Sequence, residues 1–190
     1  ELERYQKIYP NHKDKVYAHF LLGMCYYENI IDEKRDLAPL LKSKKQFEIV
    51  INEFPETEFA IDAGFKIELI NDRLAGKEMY IARHYLKSKK WIPAIKRFKN
   101  ILDNYQTTIY VEEALHRLVE IHYIIGLESE AEKYAALLGY NYQSGEWYKA
   151  TYKVFNKDYD FFIKKFEQIK SNDKKSLFKR FVGKFKKIFE

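Results

Sequence analysis

Two stretches of this chain carry one interval pattern: Ala82, Tyr85, Ala94, Phe98 and then Val119, His122, Ala131, Ala135, with steps of three, nine and four residues in both. Small side chains twelve apart, one on each of two consecutive helices, let those helices cross closely, while neighbours one turn away fill the groove between them. The spacing predicts antiparallel helix pairs stacked one on the next. Such a stack presents a surface for gripping other proteins, so a scaffold is expected before a catalyst.

The rest of the chain extends this pattern, which is that of tetratricopeptide repeats. Leu2 to Tyr9 reads as the last turns of a helix ended by Pro10. A further A helix is expected from about Asp14 to Glu28, with Gly23 at the small position and Tyr26 at the aromatic one. Its B helix, about Ala38 to Glu53, places Ser43 and Phe47 four apart. Ser43 follows Gly23 by 20 residues instead of 12, so the eight extra residues enlarge the loop around Asn29 to Asp36. Thr57 to Lys89 contains no Pro and reads as one long helix or as two joined near Gly76. Helices follow at about Trp91 to Asn104, at Val111 to Ile125 closed by Gly126, and at Ser129 to Leu138 closed by Gly139. The expected fold is an all-α tetratricopeptide repeat α-solenoid over residues 1–144 with a truncated first repeat. Residues 145–190 form a C-terminal extension ending in a basic amphipathic helix.

Charge separates these two parts. Of 34 Lys and Arg and 28 Asp and Glu, residues 151–190 hold 12 and 5, a balance of +7, leaving 22 minus 23, or −1, for residues 1–150. The basic pI is thus a property of the tail and a poor argument for nucleic-acid binding by the helical body. In the tail Phe178, Phe181, Val182, Phe185, Ile188 and Phe189 recur at three- and four-residue steps, with Lys179, Arg180, Lys184, Lys186 and Lys187 on the other side. Such a helix can cap the open end of the solenoid, lie on an anionic membrane surface, or dock on a partner. No run of about 18 uncharged apolar residues is present to span a bilayer. The single Cys25, among Leu21, Leu22, Met24 and Tyr26, is expected as a buried thiol.

Further residues carry a family resemblance. Arg35-Asp36, then Phe54-Pro55-Glu56-Thr57-Glu58-Phe59-Ala60-Ile61-Asp62-Ala63, then Asp72-Arg73-Leu74-Ala75 with Glu78, are similar to the BamD (YfiO, ComL) family of outer-membrane assembly lipoproteins. The likeness continues through Ala82, His84-Tyr85, Ala94, Arg97-Phe98, Tyr105-Gln106-Thr107 and Glu113-Ala114-Leu115, and covers about residues 1–138. It implies a protein at the periplasmic face of the outer membrane, anchored by a lipid on an N-terminal Cys. It also implies partners: the POTRA domains of the BamA barrel, unfolded β-barrel proteins and other assembly lipoproteins. The sequence opens at Glu1 without a Met or signal segment, and a processed or trimmed N-terminus lacking the lipid-bearing Cys is expected.

Candidate contact residues follow. Arg97, beside Phe98 and three residues after Ala94, belongs at the margin of a buried helix face, where its planar fork can meet a carboxylate. The resemblance implies an acidic partner on the last POTRA domain; an intramolecular Glu or Asp is the alternative. Arg35, Asp36, Asp72, Arg73 and Glu78 can pair with one another to set how repeats stack, or line a polar strip that reads an extended peptide. Tyr17, Tyr27, Tyr80 and Tyr85 are the aromatic candidates beside them, Tyr85 also suiting the core. In the tail, Phe178, Phe181, Phe185, Lys184 and Lys187 are the residues for a membrane or capping contact.

Signals for chemistry are few. His12, His19, His84, His116 and His122 show no spacing that sets two on one helix face with a carboxylate, and no Gly-rich phosphate loop or nucleophile elbow is visible. No enzyme activity, cofactor or metal is expected. Two other classes compete with the assembly scaffold: a generic tetratricopeptide adaptor in another complex, and a helical nucleic-acid binder using the basic tail.

Overall fold

A computed structural model describes residues 1–10, 12–28, 37–143 and 145–155. They form α1 (Leu2–Ile8), α2 (Lys15–Glu28), α3 (Ala38–Glu53), α4 (Glu58–Lys87), α5 (Trp91–Asn104), α6 (Val111–Ile124), α7 (Glu128–Asn141) and α8 (Glu146–Phe155). The helices pair as α2 with α3, α4 with α5 and α6 with α7, and α8 lies mainly on α6. The expected tetratricopeptide solenoid is the fold.

Local chemistry explains most boundaries. Thr57 caps α4: its Oγ1 accepts from the Ala60 amide at 3.3 Å and donates to the Phe54 carbonyl at 2.8 Å. Gly126, at φ 81°, closes α6 in the left-handed conformation that a Cβ disfavours. Residues 58–87 form one helix of 30 residues, about 45 Å long. Gly64 and Gly76 leave it unbroken because each loses only its own propensity, roughly 1 kcal/mol, against the packing of a long apolar face. Gly139 likewise does not close α7, which runs on to Asn141. A Cβ on Gly139 would lie 3.3 Å from the Tyr148 ring, so this glycine admits α8 rather than ending α7.

Two cores sit along α4. Leu40, Phe47 and Val50 of α3 meet Ala60, Ala63, Ile70 and Leu74 of its first half. Met79 and Ala82 of its second half join Ala94, Phe98 and Ile101 of α5 and the apolar side of α6. Tyr105 touches both clusters, so the two repeats share one rigid spine. Phe47 and Phe98 have no exposed surface, and burying each contributes about 2–3 kcal/mol. Cys25 differs from expectation: it is exposed. The buried side of α2 carries Ala18, His19, Leu22 and Gly23, and Cys25 falls beyond its edge. The tail residues Phe178, Phe181, Phe185, Lys184 and Lys187, and the loop residues Arg35 and Asp36, lie outside the described residues.

Candidate functional site

The long helix α4 holds most of the expected contact residues. In its second half Glu78 meets Arg97 of α5, whose Nη1 donates to both carboxylate oxygens at 3.0 Å. The Glu78 side chain is 13% exposed and that of Arg97 42%. The carboxylate is thus nearly enclosed while the guanidinium stands at the margin, as the spacing from Ala94 requires. Only one terminal nitrogen of the fork is used by the pair. Burial, with the Glu78 charge nearby, raises the Tyr105 hydroxyl above its ordinary value.

Also along α4, Asp72, Arg73, Gly76, Lys77, Tyr80 and Arg83, together with Tyr110, line a groove of about 370 Å³. Gly76 lets the ring approach closely: a Cβ there would come 3.0 Å from the Tyr110 hydroxyl oxygen. The Arg73 guanidinium lies 4.8 Å from the Tyr27 ring centre, and Lys66 Nζ 5.1 Å from the same ring. Tyr80 and Tyr17 are exposed, whereas Tyr85 packs against the second core. The groove joins three cations and two aromatic rings to an acid, a lining suited to an extended peptide with mixed polar and aromatic side chains.

A third feature was not legible in the sequence. Glu113, in the first turn of α6, is buried and held by Arg83 of α4 through a forked pair, with Nε to Oε1 at 2.9 Å. The bond to Glu113 raises the Arg83 guanidinium further. Arg117 approaches the same carboxylate at 3.5 Å and donates to Glu120 at 2.7 Å. The relay continues through His116, whose Nε2 lies 3.4 Å from Glu120 and whose Nδ1 is 2.8 Å from Thr151 Oγ1 on α8. Trp147 of α8 stacks against His116 and Arg117, 5.2 Å and 5.0 Å from its ring. Desolvation alone would raise Glu120, but hydrogen bonds from His116 and Arg117 outweigh it and hold its carboxyl below the usual range. A chain of charges thus ties the groove wall to the helix that closes the described end of the solenoid. No local signal could have revealed it, because Arg83 and Glu113 are 30 residues apart and Glu113 looks like an ordinary helix-start acid.

Among the described residues no group of His, Cys, Asp and Glu is placed to hold a metal, and no helix is long and apolar enough to cross a membrane. What the surface offers is a repeat scaffold with a half-exposed Arg, a mixed groove and a capped end. Residues 1–137 match the family described as YfiO, outer membrane lipoprotein. The chain belongs to that family. Among its YfiO relatives, the outer membrane protein assembly factor BamD of Rickettsia prowazekii is 46% identical over 153 residues, 80% of this chain and 61% of that protein. That of Caulobacter vibrioides is 42% identical over 156 residues, 82% of this chain and 51% of the relative. The BamD of Neisseria gonorrhoeae is 30% identical over 132 residues, 64% and 49% respectively. The chain therefore spans about half to three-fifths of the length of these YfiO proteins.

Proposed function

We propose that this chain is a non-enzymatic scaffold in the assembly of β-barrel proteins into the outer membrane. In its full-length form it would be held at the periplasmic face by a lipid. The observation that carries this reading is the match of residues 1–137 to an outer membrane lipoprotein family, joined by relatives named as outer membrane protein assembly factors.

The geometry supplies a means. Arg97 is anchored by Glu78 yet keeps its Nε and Nη2 outside that pair, so a carboxylate on the last POTRA domain of BamA can approach the rest of the fork. The groove between Asp72 and Tyr110 is the place for an unfolded barrel segment, with Tyr80 as a stacking platform. Other assembly lipoproteins are further partners. The test is replacement of the chromosomal copy by an Arg97→Gln allele. Outer-membrane barrel proteins should fall at unchanged levels of the protein itself. Normal barrel levels in a strain in which outright depletion also changes nothing would remove the reading.

A further inference from the structure

The first half of α4 exposes Ile61, Phe65 and Leu69 at four-residue steps, 63%, 62% and 48% exposed, so one turn after another presents an apolar side chain to solvent. Glu58, Asp62 and Glu68 stand exposed around this stripe, and Asp72 at its end leads into the groove. Among the described residues none of these four carboxylates has an ion-pair partner. The exposed side of this half-helix is therefore apolar along its middle and mainly acidic along its rim, where the cation Lys66 turns onto the Tyr27 ring.

The same chain carries the complement. Phe178, Phe181 and Phe185 recur at three- and four-residue steps, and Lys179, Arg180, Lys184, Lys186 and Lys187 lie among them. The body is −1 over residues 1–150 and the remainder +7, taken as 22 minus 23 and 12 minus 5. The 21 residues from Asn156 to Ser176 reach about 70 Å when extended, beyond the roughly 45 Å length of α4. We propose that the basic aromatic segment 177–189 docks in cis on the α4 stripe, its phenylalanines against Ile61, Phe65 and Leu69 and its lysines along the acidic rim. Apolar burial gives the contact its strength and opposite charge its register, so the contact weakens as salt rises. This inference uses only the charge pattern and exposure of the chain and does not depend on the assembly reading.

The test uses the 190-residue chain with Cys25→Ser and a single thiol at Leu69→Cys. Its labelling rate by a maleimide is compared with that of the same chain carrying Phe178→Ser, Phe181→Ser and Phe185→Ser. Docking predicts labelling about tenfold faster in the tail variant, equivalent to about 1.4 kcal/mol of protection, and a parallel rise in the parent at high salt. In a second protein, Leu69→Cys with Phe181→Cys should oxidise to a monomeric disulfide at a rate independent of concentration. Equal labelling rates with no monomeric disulfide would overturn the proposal. So would a disulfide that appears only as a dimer, or tail protection seen only with phosphatidylglycerol vesicles.

Discussion

Ser43 Oγ donates a 2.8 Å hydrogen bond to the Gly23 carbonyl, across the α2–α3 crossing and 20 residues along the chain. The small residue on the B helix thus touches the backbone of the small residue on the A helix. The same crossing sets Phe47 directly over Gly23. The eight-residue enlargement of the intervening loop changes the sequence distance and leaves the crossing intact.

That contact makes Gly23→Ala a sharp probe. A Cβ there would meet Phe47 Cε1 at 2.7 Å, and the Phe47 ring has no exposed surface into which to swing. The substitution should cost about 1–3 kcal/mol and lower Tm by several degrees. Adding Phe47→Leu should return part of the loss. Thermal unfolding of the two single variants and the double variant checks this, and strictly additive losses would show that the clash is not the cause.

Glu113 should matter more than its helix-start position suggests. Glu113→Gln leaves Arg83 and Arg117 facing a neutral group at a buried point. The Arg83 side chain is 53% exposed, so the loss is held to about 2 kcal/mol, below the roughly 3–5 kcal/mol of a fully buried pair. Urea unfolding measures it directly.

Docking of α8 should respond to acid. The folded Glu120 carboxyl lies below its ordinary value of 4.5, so the unfolded chain takes up its proton first as pH falls. The stabilisation is therefore whole above the ordinary value and lost as pH drops through the folded one. With Trp91→Phe, Trp147 fluorescence reports on α8 alone. A transition confined to the acid limb is expected, and Glu120→Gln should flatten it.

The Glu78–Arg97 pair should contribute little to stability. With Arg97 42% exposed, Glu78→Gln should cost under about 1 kcal/mol, as read by denaturant midpoint. Arg97→Glu would set a second carboxylate beside Glu78 and disturb folding, so Arg97→Gln is the variant for binding work.

Much of the fold was legible because its signals are local. Pro55 and the Trp91–Pro93 start mark α3 and α5 at their observed bounds, and the paired small residues mark the crossings. What escaped depends on tertiary partners. Gly139 read as a helix end and Gly76 left the choice between one helix and two, yet both sit inside helices where Tyr148 and Tyr110 come close. Cys25 was placed by its apolar sequence neighbours, whereas burial on α2 follows helix phase. Arg97, Glu78, Asp72 and Arg73 all fall on or beside α4, but only the structure separates them into a pair and a groove. The Glu113 relay joins residues with no shared periodicity.

Calorimetric titration of this chain with the periplasmic POTRA domains of BamA from the same organism tests the central claim most directly, with Arg97→Gln alongside. The scaffold account predicts binding at micromolar concentration or tighter, weakened at least tenfold in the variant while its helicity and unfolding midpoint are kept. No heat of binding at any workable concentration, from a chain verified as folded, would contradict it.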